Sequence, residues 1–523
     1  MDIKRAKQEI KDAIEAYLMK DTFGDYMIPA IHQRPILLMG PPGIGKTQIM
    51  EQIARECGIG LVAYTITHHT RQSAIGLPFI QKKEYGGREY SVTEYTMSEI
   101  IASVYDKMEE SGLDEGILFI DEINCVSETL APTMLQFLQC KTFGNQKVPD
   151  GWIIVAAGNP PEYNKSVREF DVVTLDRIKK IDVEENFAVW KEYAWKAGVH
   201  PAVISYLELR RENFYRMENT VDGKLFATAR GWEDLSRLIQ AYEKLGKRVD
   251  REVVHQYIQH WKIAKDFANY LELYVKYRKD YGIERILQGQ YGEETLERLR
   301  FAPFDERLSV VSLLLGKLSE QFCQAYDKDQ IVMGLYEWMK KYRQMTEEVE
   351  AEGVDENIYA NGGIIKTIFR QAHREYEDKK KTGNLSQAED RRMGMVTGIL
   401  EQYWNAVRDR NLAGTEGFAF AKTLFEEKVQ AREALTDQTM EMLDAAFRFV
   451  EEAFGSRNAD GGSQEMVVFV TELNTNFYSI QFLKENDCAL YYKYNKGLLF
   501  DERQQDILDQ MDAVENELER GVQ

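Results

Sequence analysis

The stretch ILLMGPPGIGKT, residues 36–47, decides the fold. Its four apolar residues predict a buried strand, and a helical pattern follows the loop from Gln48 to Cys57. The loop matches GxxxxGK[ST], in which glycines let backbone N–H groups converge on phosphates at a helix N-terminus. A phosphate-binding loop is therefore predicted, against the alternative of a chance match in an ordinary strand–turn–helix unit.

This loop predicts a site for ATP and Mg²⁺. Lys46 is expected to reach the β- and γ-phosphates, and the Thr47 hydroxyl is expected to bind Mg²⁺. The segments 164–167 and 495–498 begin with Asn-Lys but lack the Asp of the guanine-binding NKxD motif, which disfavours GTP. The residues expected to contact the nucleotide are Gly40, Pro41, Pro42, Gly43, Ile44, Gly45, Lys46, Thr47 and Gln48.

A second apolar run, residues 116–120, ends in two acids, Asp121 and Glu122. An Asp at the carboxyl end of a strand is where phosphate-loop enzymes hold Mg²⁺, so Asp121 and Thr47 are the predicted metal ligands. The next residue, Glu122, is placed to activate the attacking water as a general base. The alternative is a strand that simply ends in solvated acids.

A third apolar run, residues 152–157, ends in Gly158-Asn159-Pro160-Pro161. A polar side chain at the tip of a strand beside the acidic one can orient the attacking water, and this is the predicted role of Asn159. The alternative is an Asn-Pro turn without a chemical role.

Short apolar runs alternate with helical patterns in the first part of the chain, which predicts a parallel sheet covered by helices. The five predicted strands are residues 35–39, 61–66, 116–120, 152–157 and, more weakly, 181–183. From about residue 185 to 271 the pattern becomes helical.

The rest of the chain reads differently. No proline follows Pro303, and Leu308, Val311, Leu315, Leu318 and Phe322 follow helical spacing. The predicted fold class is thus an α/β P-loop core, a parallel sheet flanked by helices, with a helical lid and a large all-α C-terminal domain. The predicted parts are an N-terminal helix and lead-in (1–34), the nucleotide-binding core (35–184), the lid (185–270) and the C-terminal domain (271–523).

Composition limits the partners and the compartment. The net charge of −20 over 523 residues argues against nucleic acid as the main ligand, because phosphate contacts need a basic surface. A protein partner is favoured. The chain has no apolar run of membrane-spanning length and no secretory signal at its start, so membrane insertion is not expected and the cytoplasm is the expected compartment.

Taken in order, GPPGIGKT, LFIDEIN and AAGNP resemble the Walker A, Walker B and sensor 1 motifs of AAA+ ATPases. The GNP sequence and Val173-Thr174-Leu175-Asp176-Arg177 are similar to the MoxR-like, dynein-related branch, although Ile178 replaces the aromatic residue found there. The resemblance covers residues 28 to 270.

The resemblance implies two arginine roles. Arg177 would be the arginine finger that reaches the nucleotide of a neighbouring subunit, with Arg168 as a rival and a surface role beside Lys179 as the alternative. Arg230, in the stretch 226–232 (FATARGW), would be the sensor 2 residue, although Ala229 stands where Pro is common. The alternative for Arg230 is an ordinary arginine at the start of a helix.

The stretch from Phe79 to Val92 predicts a β-hairpin that turns at Gly86-Gly87. Pairing across it places Tyr85, Tyr90 and Val92 on one face. The MoxR-like branch carries a hairpin insertion at this place, so the hairpin is expected either to face a substrate or pore, or to be purely structural.

As a whole, the resemblance implies an ATPase that assembles as a ring, expected to be a hexamer. Such ATPases work with a protein that carries a von Willebrand factor A domain, and they remodel, activate or load metal into a target protein. Two alternatives stay open. One is a scaffold switched by ATP, in which the helical C-terminal domain is the working part, and the other is a nucleic-acid motor.

Overall fold

The computed structural model describes residues 1–68, 76–143, 146–163, 172–220, 223–351, 362–383, 385–455 and 463–496, with Gln72, Ala74 and Phe170. By its contacts the chain divides into two compact units. The first comprises residues 1–189 with 370–394, and the second comprises residues 190–369 with 395–523. The four parts expected from the sequence are a finer division, which stays a prediction.

A five-stranded parallel sheet forms the centre of the first unit, in the order β2-β5-β8-β1-β9. The five strands of this sheet fall where the sequence predicts them, because each is a short apolar run that stands out from the residues around it. The strands of the first unit are β1 (Ile36–Met39), β2 (Gly60–Thr65), β3 (Pro78–Tyr85), β4 (Arg88–Tyr95), β5 (Gly116–Asp121), β6 (Thr142–Phe143), β7 (Gln146–Lys147), β8 (Trp152–Gly158) and β9 (Lys179–Asp182).

Helices cover both faces of this sheet. Alternate residues of each strand point to opposite faces, so Leu37 and Leu118 belong to one buried cluster while Leu38 and Phe119 belong to the other. The first helix packs with the second of these clusters through Ile10 and its neighbours. The helices are α1 (Ile3–Leu18), α2 (Lys46–Cys57), α3 (Glu99–Ser111), α4 (Ala131–Cys140) and α5 (Val172–Leu175).

The predicted hairpin is confirmed as β3 paired antiparallel with β4. Gly86 and Gly87 have φ angles of 60° and 77°, the left-handed conformation that a two-residue hairpin turn requires. The register places Tyr85, Tyr90 and Val92 on one face as predicted, and the two tyrosine rings lie 6.1 Å apart between centroids.

The second unit begins with helices, but the expectation of an entirely helical lid is wrong for one segment. The strands β10 (Arg216–Thr220) and β11 (Gly223–Ala227) pair antiparallel in this segment, with Met217 opposite Phe226. Both strands are five residues long and half polar, so their alternation is too brief to stand out in the sequence. The lid helices are α6 (Phe187–Ala197), α7 (Pro201–Leu209), α8 (Ala229–Lys244) and α9 (Arg251–Tyr257).

The large helical C-terminal region is confirmed. The predicted stripe from Leu308 to Phe322 is buried along one helix. The end of the chain from 497 onward lies outside the described residues. The helices are α10 (Trp261–Tyr281), α11 (Ile283–Leu287), α12 (Glu293–Arg300), α13 (Phe304–Ala351), α14 (Gly363–Thr382), α15 (Gln387–Asp409), α16 (Gly414–Phe454), α17 (Gln464–Thr475) and α18 (Phe477–Glu485).

Candidate functional site

The loop between β1 and α2 has the backbone of an anion cradle. Gly43 and Gly45 adopt φ angles of 78° and 95°, which residues with a side chain rarely adopt. Gly45 is the N-cap of α2, and no side chain caps that end of the helix. A phosphate suits such a helix start, because the helix dipole favours a negative charge there.

Gly40 is required by its surroundings, since a Cβ there would lie 2.7 Å from the carbonyl oxygen of Val183. Lys46 is buried, with 8% of its surface exposed. Its Nζ donates to the carbonyl oxygens of Gly40 and Pro41, each at 2.8 Å, and to Oδ1 of Asn159 at 2.9 Å. The ammonium group is thus held inside the loop by three neutral acceptors, and it carries its positive charge to the place where phosphates would bind.

Thr47 and Asp121 meet beside this loop. The Thr47 hydroxyl donates to Oδ2 of Asp121 at 3.0 Å, although 74 residues separate the two along the chain. Among the described residues, no three His, Cys, Asp or Glu side chains gather as a metal cage. Two protein oxygens fit Mg²⁺, because this ion keeps several waters and binds through one or two carboxylates plus substrate phosphates.

Glu122 has an unusual backbone, with φ of 57°. This left-handed conformation turns the chain away from β5 directly after Asp121, and the Glu122 N–H donates to Oδ1 of Asp121 at 2.9 Å. Glu122 is partly exposed in this turn. Non-glycine residues seldom adopt such φ values, and those that do are concentrated at functional sites.

Asn159 lies at the end of β8, where its side chain accepts the hydrogen bond from Lys46. Its backbone is held by Asn124, a residue that the sequence analysis did not single out. The Asn124 Nδ2 donates to the Asn159 carbonyl at 2.8 Å, and its Oδ1 accepts from the Asn159 N–H at 3.3 Å. An amide side chain two residues beyond the acid pair was the only sequence signal for it.

The hydrogen bond that the structure shows for Arg177 goes to another part of the domain than the phosphate loop. Arg177 follows α5, is exposed, and its Nη1 donates to Oε1 of Gln139 at 2.6 Å. Exposed apolar side chains lie near it in the chain: Val172 is 80% exposed and Val173 is 58% exposed. Arg168, the rival finger, lies outside the described residues.

Arg230 belongs to the second unit. It is exposed in the first turn of α8, whose N-terminus is capped by the Thr228 hydroxyl accepting from the N–H of Gly231 at 3.2 Å. The structure therefore places this residue at a helix start, as the sequence suggested.

Comparison with known proteins identifies the domain. Residues 36–175 match the family model of AAA, the ATPase family associated with various cellular activities. Protein SAV of Sulfolobus acidocaldarius is 31% identical over 126 residues, which are 24% of this chain and 13% of that protein. The chain thus spans about an eighth of the length of this curated relative.

The chain therefore contains an AAA ATPase domain, and the match covers β1 through α5. The family supports ATP hydrolysis as the general activity, with Mg²⁺ as the usual companion of ATP, and its members typically form oligomeric rings. No helix in the described part of the chain is long and apolar enough to cross a bilayer.

Proposed function

We propose that this chain is a MoxR-like AAA+ ATPase that hydrolyses ATP to remodel, activate or assist metal loading of a partner protein, together with a protein carrying a von Willebrand factor A domain. One observation carries the enzymatic part. Lys46 is hydrogen-bonded to Asn159, and its neighbour Thr47 is hydrogen-bonded to Asp121. Three separate segments therefore meet at the carboxyl ends of adjacent parallel strands. Ligands of open α/β sheets bind at this edge.

Nucleotide binding rests on the loop 40–48. Its glycines and the uncapped start of α2 present N–H groups to the phosphates, while Lys46 adds a charge-assisted hydrogen bond. Lys46 must exchange at least one of its present acceptors for a phosphate oxygen. The hydrogen bond between Lys46 and Asn159 would change in this exchange, because the Asn159 side chain shares Lys46 Nζ with the loop carbonyls.

Hydrolysis rests on the acids. Mg²⁺ held by Thr47 and Asp121 would neutralise charge on the phosphate oxygens. Glu122, in the left-handed turn directly after Asp121, then accepts a proton from the attacking water. The amide of Asn159 orients the water from the neighbouring strand.

Assembly rests on Arg177. The residue is exposed and bound only to Gln139 among the described hydrogen bonds, which suits a group that acts on the nucleotide of a neighbouring subunit. Such an arginine contributes on the order of 10³–10⁵ to the rate. The exposed Val172 and Val173 beside it supply apolar surface for a subunit contact. A hexameric ring is the proposed assembly, and Arg230 is proposed to act as sensor 2.

The hairpin of β3 and β4 is the proposed contact with protein partners. Tyr85 is 56% exposed, Tyr90 is 48% exposed and Ile80 is 76% exposed. Exposed tyrosines are enriched among the residues that contribute most to protein-binding surfaces. The charge of −20 disfavours nucleic acid as the alternative ligand.

The test of the proposed function is ATP turnover by the purified chain, with and without Mg²⁺ and with and without the von Willebrand factor A domain protein. A remodelling motor hydrolyses ATP only with Mg²⁺ and accelerates when the partner is added. Slow turnover that no partner stimulates, in a stable assembly, would instead identify the ATP-switched scaffold.

A further inference from the structure

Asn124 occupies an unusual place at the edge of the sheet. It is 2% exposed and lies in the turn that follows β5, where the left-handed backbone of Glu122 has taken the chain out of the strand. The N–H of Ile123 still pairs with the carbonyl of Ala157 at 2.9 Å. Since β5 has already ended at Asp121, its backbone does not pair with Asn159, the residue that follows β8.

The side chain of Asn124 takes over this pairing. It donates to the carbonyl and accepts from the N–H of Asn159, so its amide acts as a substitute peptide group that extends the ladder by one residue. Both bonds together require one donor and one acceptor on the same short side chain, which among the amino acids Asn supplies best. Pro160 follows and has no N–H, so Asn159 is the last residue of this segment that needs such a partner.

The neighbouring glycine fits this arrangement. A Cβ on Gly158 would lie 2.6 Å from Oδ1 of Asn124, closer than any real contact. The Gly-Asn pair 158–159 therefore leaves room for the amide and receives its hydrogen bonds. The amide bridges the tip of the strand that carries the acids and the tip of the strand that carries Asn159.

We infer that Asn124 is a positioning residue of the ATPase site: it fixes the backbone of Asn159 so that Oδ1 of Asn159 stays on Lys46 Nζ, 2.9 Å away. The inference rests on the proposed function, and it adds a residue whose hydrogen bonds go to the backbone of Asn159. Asn124 acts through Asn159, so its loss lowers the rate of hydrolysis more than the affinity for ATP.

The first experiment measures kcat and the Kd of ATP for Asn124→Ala and Asn124→Asp. Misplacing a catalytic group by about 1 Å costs on the order of 10²-fold in rate, so kcat falls by that order while Kd changes by less than about threefold. The matched control is Gln33→Ala. Gln33 is 3% exposed in the same unit and donates to the carbonyls of Tyr17 and Ile28, so its loss removes two comparable buried hydrogen bonds away from the site. Its kcat should stay at the wild-type value.

The aspartate variant adds a pH test. A carboxylate has no proton to donate to the Asn159 carbonyl, whereas a protonated carboxyl has one donor and one acceptor like the amide. The ratio of kcat for Asn124→Asp to wild-type kcat should therefore rise as the pH is lowered. A ratio that is independent of pH, or a kcat equal to wild type, would overturn the inference.

A crystal structure of Asn124→Ala decides the positioning claim without any assay. The expected result is that Asn159 Oδ1 leaves Lys46 Nζ, and an unchanged distance would overturn the inference. A wild-type chain that binds ATP without hydrolysing it would contradict the proposed function alone, because the structural comparison would still decide whether Asn124 places Asn159.

Discussion

Lys191 Nζ lies 2.5 Å from Oε1 of Glu472, a carboxylate 281 positions further along the chain. Both side chains are 9% exposed, and Glu472 also accepts from the indole N–H of Trp195 at 3.1 Å. Burial alone would lower the pKa of Lys191, but Glu472 and Glu208 hold it above its ordinary value. The lid helix α6 and the C-terminal helix α17 are thus joined by a buried ion pair within the second unit.

We predict that Glu472→Ala destabilises the second unit by about 3–5 kcal/mol, because it leaves a buried ammonium group with one carboxylate fewer. Thermal unfolding of the full chain measures this loss. Glu451→Ala is the control, since its partner Lys493 is 57% exposed and such pairs contribute less than about 1 kcal/mol. Equal effects of the two substitutions would show that the buried pair does not hold the unit together.

The same pair bears on truncation. A fragment of residues 1–270 would keep Lys191 and Trp195 but lose Glu472. We therefore expect the lid of such a fragment to be unstable, and tests of the C-terminal helices should use the full chain.

The buried Lys141 predicts a pH-dependent stability. Burial lowers its pKa from 10.5 to about 8, and its Nζ donates to the carbonyl of Ala30 at 2.7 Å. Below pH 8 the folded chain carries the full cost of a buried charge. As the pH rises from 8 to 10.5 the folded chain loses this proton before the unfolded chain does, so stability increases by about 3 kcal/mol from this group.

The corresponding variant is Lys141→Met. It should be more stable than wild type at pH 7, by about 2 kcal/mol after the loss of one hydrogen bond, and the advantage should vanish near pH 10.5. Unfolding curves across this pH range check it. Lys180→Met, which removes an exposed lysine paired with Asp182, should show no such trend. An advantage for Lys141→Met that is constant with pH would contradict the assignment.

The role of Arg177 predicts rescue between subunits. Neither Arg177→Ala nor Lys46→Ala alone should hydrolyse ATP well, but a mixture should regain activity, because some interfaces then combine an intact loop with an intact arginine. ATP turnover as a function of mixing ratio measures this. Rescue with Arg168→Ala but not with Arg177→Ala would assign the finger to Arg168, and a fully active monomer would contradict the ring.

The tyrosine pair on the hairpin predicts a separation of basal and stimulated activity. Replacing Tyr85 and Tyr90 by Ser removes exposed aromatic side chains that are not part of the hydrogen-bonded ATPase site. Basal turnover should therefore stay within about twofold, while stimulation by the von Willebrand factor A domain protein is lost. Tyr105→Ser, a tyrosine 45% exposed on α3, is the control. Stimulation that survives the double substitution would make the hairpin structural.

Local motifs made much of the site predictable. The pattern around Lys46 and the acid pair at the end of β5 are each contiguous in sequence. The hydrogen bonds of Lys46 with Asn159 and of Thr47 with Asp121 then follow from the adjacency of the parallel strands. Asn124 was missed because its role depends on the turn at Glu122, which no spacing in the sequence reveals.

Other features could not be predicted because they join distant segments. The Lys107 Nζ donates to the carbonyl of Thr382 at 3.4 Å, and residues 370–394 cluster with the first unit although they come from the helical half of the chain. Helical periodicity identifies a buried face, but it does not say which distant segment covers that face.

The central claim, that this site hydrolyses ATP with Glu122 as the base, is tested most directly by measuring ATP affinity and turnover separately for Glu122→Gln and Lys46→Ala. The account predicts that Glu122→Gln binds Mg²⁺ and ATP with near wild-type affinity but turns over at least about 10²-fold more slowly, because only the proton acceptor is lost. Lys46→Ala should lose affinity itself, because it removes a charge-assisted contact to phosphate. Wild-type turnover by Glu122→Gln would contradict the account.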